Sequence, residues 1–110
     1  MELEVIKKEK FSILKLSGDV DLYSSPQVRK KILSLITKSN KNLLVDLAEV
    51  TYMDSSGVAT LVEALQLTNK NSGTLRLYSL RDAIKDVFEL SRLDKVFNIY
   101  ENEEQAFEGM

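Results

Sequence analysis

Two hydroxyls and a carboxylate stand side by side in Met53-Asp54-Ser55-Ser56-Gly57. These residue types cap helices, and serine accepts phosphoryl groups. Upstream, Asn42 to Val50 reads Asn-Leu-Leu-Val-Asp-Leu-Ala-Glu-Val and begins as a short apolar run suited to a strand covered on both faces. Downstream, Val58, Leu61, Val62 and Leu65 recur at helical spacing. The motif therefore falls at a strand-to-helix turn, where free backbone N–H groups and the positive end of a helix dipole converge. A phosphate on either serine is held favourably there, and its charge alters the surface around it. The chemistry suggested is that of a switch.

The elements that must position this turn follow from periodicity. Leu3 to Ile6 and Phe11 to Leu16 read as two strands, and Ser17-Gly18 ends the second. Gly18-Asp19-Val20-Asp21 then reads as a loop leading to Tyr23-Ser24-Ser25-Pro26. Pro26 suits the first helical position with Ser25 as the cap; the alternative is Ser24 as the cap, with Gln27 completing a capping box. Val28, Ile32, Leu35 and Ile36 form the apolar stripe of this first helix, which fades near Ser39-Asn40. A third strand is expected over Leu43 to Leu47 and a second helix over Ser56 to Lys70, stopped at Asn71-Ser72-Gly73 with Gly73 free to take a left-handed cap. Thr74 to Tyr78 reads as a strand, Asp82 to Ser91 as a helix and Val96 to Tyr100 as a last strand. A short helix within Glu101 to Glu108 would use Ala106 and Phe107. Alternating strands and helices imply an α/β fold. The expectation is a single small domain over residues 1–110, with a mostly parallel mixed sheet of four to five strands and three to four helices.

Composition excludes several functions. The chain is 44% hydrophobic and 29% charged, the balance of a globular domain. No apolar run approaches the ~20 residues that span a bilayer, and the N-terminus carries acidic residues where a secretory signal needs an apolar core. Without cysteine there are no disulfides or thiolate metal sites; without histidine the commonest general base and metal ligand is gone. A cytoplasmic location and no metal or cofactor are expected. A net charge of −2 gives no overall attraction to nucleic acid, and the run Arg29-Lys30-Lys31 reads either as a solvated helix face or as a site for an acidic partner. Ser55 lies in no Gly-x-Ser-x-Gly elbow and has no histidine to activate it, so the chain is not read as an enzyme. No phosphate-binding glycine loop is present either.

Three segments carry a family resemblance: Leu16-Ser17-Gly18-Asp19-Val20-Asp21-Leu22; Leu44-Val45-Asp46-Leu47 through Tyr52-Met53-Asp54-Ser55-Ser56-Gly57; and Leu93-Asp94-Lys95-Val96-Phe97. In this order they resemble the STAS domain, shared by sulfate transporters and anti-sigma factor antagonists, and the chain looks most like the free-standing antagonists. The resemblance implies a partner-switching role. The unmodified antagonist binds an anti-sigma factor that is also a serine kinase, phosphorylation releases it, and a PP2C-type phosphatase restores it. By the motif the phosphorylated residue is Ser55, with Asp54 beside it and Asp21 on the same surface patch. The alternative within the family is a constitutive interaction subunit of a lipid-transport ABC system or signalling scaffold. Where the family commonly continues Gly-Leu-Gly, this chain has Gly57-Val58-Ala59, which adds a methyl group near the docking surface.

The individual residues each carry more than one reading. Asp54, Ser55 or Ser56 caps the second helix, and a cap does not exclude a switch at its neighbour. Asp54 either orients the Ser55 hydroxyl and meets a kinase, or only satisfies backbone N–H groups. Asp21 is a turn former or a partner contact. Gly57 allows a tight turn or a close approach. Met53 and Val58 either rim the turn or pack in the core. Asp21, Asp54, Ser56, Gly57 and Val58 are thus the expected partner-binding set around Ser55. Nothing in the sequence requires more than a monomer.

Overall fold

The computed structural model describes residues 1–38 and 42–110. Its elements are β1 (Glu2–Lys7), β2 (Ser12–Val20), α1 (Ser25–Lys38), β3 (Leu43–Met53), α2 (Ser55–Lys70), β4 (Leu75–Tyr78), α3 (Asp82–Leu90), β5 (Asn98–Tyr100) and α4 (Glu103–Phe107). They form a single small domain around one five-stranded mixed sheet in the order β1-β2-β3-β4-β5. β1 runs antiparallel to β2, and the other pairs are parallel. The α/β expectation holds.

The strand order decides where the helices go. Parallel crossovers are right-handed, so a sheet that grows steadily from β2 to β5 sends every crossover helix to the same face. Leu14, Leu16, Leu43, Val45, Leu47, Leu75 and Leu77 alternate onto that face and meet Val28 and Ile32 of α1, Leu61 and Ala64 of α2, and Ile84 and Phe88 of α3. The helix α4 follows the last strand, is no crossover, and closes part of the opposite face. There Ala106 and Phe107 pack with Ile13, Leu44 and Tyr78. Arg76 Nη1 donates to the carbonyls of Ala106 (2.8 Å) and Glu108 (2.6 Å), and Phe107 lies 5.1 Å from the Phe11 ring. The acidic end of the chain is therefore packed.

Several boundaries differ from the expectation. β2 does not stop at Ser17-Gly18 but runs to Val20, and the segment read as a loop pairs with β3 through Gly18↔Val50, Asp19↔Tyr52 and Val20↔Met53. Gly18, at φ 84°, sits at one of two register shifts, opposite the point where β3 carries the extra residue Thr51, so a residue that reads as a stop stands inside a continuous strand. β3 correspondingly extends past Leu47 to Met53, its outer half too polar on one face to show as an apolar run. β5 begins at Asn98; Val96 stands outside it, 55% exposed. The expected fading of α1 at Ser39-Asn40 lies outside the described residues. At its other end α1 starts at Ser25, with Val28 N–H donating to Ser24 O (3.3 Å). Ser24 thus stands at the cap position, as the alternative reading has it, but neither serine hydroxyl caps the helix. The Ser24 hydroxyl turns back into the preceding loop, and the Ser25 hydroxyl is buried without a partner among the described residues.

The stop of α2 is also rearranged. Ser72 N–H donates to Asn69 O (3.2 Å) and Gly73 N–H to Thr68 O (2.7 Å), the paired bonds of a Schellman motif. The left-handed residue is Ser72, at φ 59°, and not Gly73. The helix α3 ends the same way, with Arg92 at φ 59° and Leu93 N–H reaching Phe88 O (2.8 Å). Both positions favour glycine, because a Cβ strains the left-handed conformation. Ser72→Gly is expected to raise unfolding stability by about 1 kcal/mol. The check is a higher urea midpoint at an unchanged slope.

Candidate functional site

The turn Met53-Asp54-Ser55-Ser56-Gly57 lies where β3 ends and α2 begins, at the carboxyl end of the parallel strands. Asp54 is the cap of α2. Its backbone is extended (φ −100°, ψ −173°), and Oδ1 accepts from Ser56 N–H (2.9 Å) and Gly57 N–H (3.2 Å). Its second oxygen, Oδ2, accepts from Leu22 N–H (3.1 Å), a residue 32 positions earlier in the loop between β2 and α1. Asp54 N–H in turn donates to Val20 O (3.3 Å). One carboxylate thus satisfies amides from two segments.

Gly57 sets the approach. A Cβ built there would lie 2.6 Å from Val20 O and 2.7 Å from Met53 Cγ, so only glycine lets α2 seat this closely on the ends of β2 and β3. Gly57 is buried, and Met53 and Val58 are 3% and 8% exposed. Of the expected partner-binding set, Gly57 and Val58 are buried in the free chain, because the helix start is pressed against the sheet. Ser55, by contrast, is exposed at the first position of α2, and among the described residues its hydroxyl makes no hydrogen bond. Ser56 is half-buried beside it. Ala59, where the added methyl group sits, is exposed.

Asp21 organises the neighbouring loop. Its Oδ1 accepts from Tyr23 N–H (3.0 Å), Ser24 N–H (3.0 Å) and the Ser24 hydroxyl (3.2 Å), while Asp21 N–H donates to Ser24 Oγ (2.9 Å). The Ser24 amide, helped by the Tyr23 amide and the Ser24 hydroxyl, holds the Asp21 carboxyl below the ordinary aspartate value against a smaller opposing effect of burial. The structure therefore brings Asp21, Asp54, Ser55 and Ser56 to one end of the sheet. Arg29, first of the basic run, is engaged elsewhere: its Nε lies 2.9 Å from both Glu63 carboxylate oxygens, tying α1 to α2.

Sequence reasoning passed over the apolar side chains at this end. Leu22 and Tyr23 are 63% and 90% exposed on the β2–α1 loop, and Tyr52 is 52% exposed at the end of β3. The available signal was a Leu-Tyr pair inside the polar run Asp21 to Ser25, out of step with every helix or strand stripe. Beside them an open groove of about 580 Å³ runs between α1 and α2, its apolar lining of Leu22, Pro26, Leu33 and Ala59 edged by hydroxyls and by the basic Arg29 and Lys30. Among the described residues no group of three or more acidic side chains is placed to hold a metal ion. No helix among them is long and apolar enough to cross a membrane.

Two outcomes test this geometry. Gly57→Ala forces a methyl group against a backbone carbonyl, and the loss of stability is expected at about 1–3 kcal/mol by thermal or urea unfolding. The Asp21 carboxyl, followed by carbon NMR, should titrate below a free aspartate, and Ser24→Ala should move it only part of the way back, since both amides remain. A depressed folded value means a stabilisation present above the unfolded value, about pH 4, and lost as pH falls through the folded one.

Comparison with known proteins places this geometry. The STAS domain model matches residues 2–106. The anti-sigma-B factor antagonist of Staphylococcus aureus (strain NCTC 8325 / PS 47) is 27% identical over 104 residues, covering 94% of this chain and 96% of that protein. The crystal structure of an anti-sigma factor antagonist from Mycobacterium paratuberculosis superposes with a TM-score of 0.85 at 24% identity, over 96% of this chain and 89% of that one. The Bacillus cell fate determinant SpoIIAA in its phosphorylated form gives a TM-score of 0.76 at 21% identity, over 96% of both chains. These structures share the five-stranded sheet and helices described above. The chain belongs to the STAS domain family.

Proposed function

We propose that this protein is an anti-sigma factor antagonist whose partner binding is switched by phosphorylation of Ser55. The observation that carries the reading is the contrast within the turn. The amides of Ser56 and Gly57 and both oxygens of Asp54 are engaged, whereas the Ser55 hydroxyl is exposed and uncommitted. A kinase can reach that hydroxyl without opening the fold. The Staphylococcus relative bears the antagonist name, and SpoIIAA, with the same fold, is known in a phosphorylated form.

The mechanism is electrostatic. Phosphorylation adds about −1.5 to −2 charge beside Asp54. The dipole of the 16-residue α2 offsets part of the repulsion, roughly 0.3–1 kcal/mol, so the modified protein stays folded. Placed in a docked interface, the same charge costs several kcal/mol where no cation meets it. Dissociation follows from charge alone. In this reading the partner is an anti-sigma factor serine kinase and a PP2C-type phosphatase reverses the modification. The protein itself, one domain over residues 1–110, works in the cytoplasm as a monomeric binding module with no catalytic site, metal or cofactor. Asp21, Asp54 and Ser56 frame the contact, and Gly57 and Val58 hold its floor.

The test is a pull-down from native cytosol with ATP, followed by phosphosite mapping of the bait. A kinase that is lost as phosphate appears on Ser55 supports the switch. Ser55→Ala should keep the fold and the partner but abolish release, and Ser55→Asp should weaken binding about tenfold or more, since a single desolvated charge costs at least ~1.4 kcal/mol. A transporter permease as the main partner with Ser55 unmodified, or equal affinity of both forms for the kinase, overturns the reading.

A further inference from the structure

The Asp54 carboxylate divides its two oxygens between two elements: Oδ1 caps α2, while Oδ2 holds Leu22 N–H at 3.1 Å. The loop fixed in this way is closed again at Asp21, which binds the amides of Tyr23 and Ser24, and the Ser24 hydroxyl reaches back to Asp19 O at 2.9 Å. A loop with this many bonds is ordered, yet its tip turns Leu22 and Tyr23 outward, 63% and 90% exposed. Single exposed apolar residues are ordinary; two adjacent ones held rigidly away from a nearby core have the form of a pre-organised anchor. Aromatic side chains of this kind dominate the binding energy of protein interfaces.

The surroundings specify what the anchor fits. Asp19 and Asp21 flank the tip; among the described residues no lysine or arginine pairs with either, and the N-terminal ammonium is the smallest of the influences on the Asp21 carboxyl. An acidic collar around an apolar knob complements a partner with cationic groups around an apolar pocket. We propose that Asp54 is a positioning residue that fixes the Leu22–Tyr23 tip as the apolar anchor for a protein partner whose pocket is rimmed by lysine or arginine. This rests on the reading that the protein docks on a kinase, and it deepens it: Asp54 frames the contact by holding the Leu22 amide.

The two-oxygen arrangement makes the idea testable without losing the helix. Asparagine and serine cap helices about as well as aspartate, but neither can accept from α2 and from Leu22 at once. In Asp54→Asn and Asp54→Ser the Leu22 amide should exchange with solvent about tenfold faster or more, as expected when a hydrogen bond to a charged group is lost. The exchange of α2 amides and the melting temperature should change little. Affinity for the purified cognate kinase, measured calorimetrically, should fall about tenfold in Asp54→Asn and in Tyr23→Ala. The double variant should lose no more than the weaker-binding single variant, because both changes disable the same anchor. An unchanged Leu22 amide in Asp54→Asn, or additive losses in the double variant, overturns the positioning role. Wild-type protein that binds no kinase overturns the docking reading itself, whereas normal wild-type binding with Asp54→Asn and Tyr23→Ala unaffected overturns only the anchor.

Discussion

The close seating of α2 on the ends of β2 and β3 is the constraint on which the site depends. Gly57 comes so near Val20 O that a Cβ would lie at 2.6 Å, and that contact is with backbone, which cannot yield as a flexible side chain does. The two register shifts between β2 and β3, each with its extra residue on β3, are what bring Val20 opposite Met53 and beneath the helix start. With the helix seated there, the Asp54 carboxylate reaches Leu22, and Ser55 occupies the first exposed position of the turn. Core packing, helix capping and loop order thus share one point of contact, so a single methyl group disturbs all of them.

The sheet explains why this end of the molecule is a surface and not a cleft. In open α/β sheets a ligand crevice forms at the carboxyl ends of the strands where the strand order reverses, because neighbouring crossovers then leave to opposite faces. Here the parallel strands run β2-β3-β4-β5 without reversal, and α1, α2 and α3 all lie on one face. The loops β2–α1 and β3–α2 therefore stand side by side, bound together by Asp54, with a shallow groove between α1 and α2 beside them. Such a shape suits another protein better than an enclosed small molecule.

Much of this was legible in the sequence, and what escaped did so for identifiable reasons. The period-2 and helical patterns gave the order of the elements, and a serine pair behind an aspartate marked the start of α2. The outer halves of β2 and β3 were missed because Gly18 reads as a turn, whereas here it stands inside a continuous strand. The hydroxyl capping of α1 was misread because the Ser24 hydroxyl has two competing uses, and the loop to Asp19 and Asp21 won over the helix amides. Ser72 and Arg92 occupy left-handed positions that usually take glycine, and the paired amide–carbonyl bonds of the two helix ends hold them there. Burial of Gly57 and Val58 is a property of the seating, and no local pattern reports how closely two elements approach.

These constraints also bear on the kind of switch proposed for the turn. A phosphate that acted by refolding would need a loosely held element to move, but the turn is pinned by the cap, by the bond to Leu22 and by the contact of Gly57 with Val20. The amides that an anion would seek at the helix start, those of Ser56 and Gly57, are already taken by Asp54. Among the described residues no lysine or arginine pairs with that carboxylate, and Arg29, which lines the adjoining groove with Lys30, is held by Glu63. A phosphate on the exposed Ser55, as proposed, would face whatever covers that position. In the proposed reading, a rigid surface with an exposed hydroxyl at its centre would convert one covalent event into a change of complementarity borne by the partner and not by this fold.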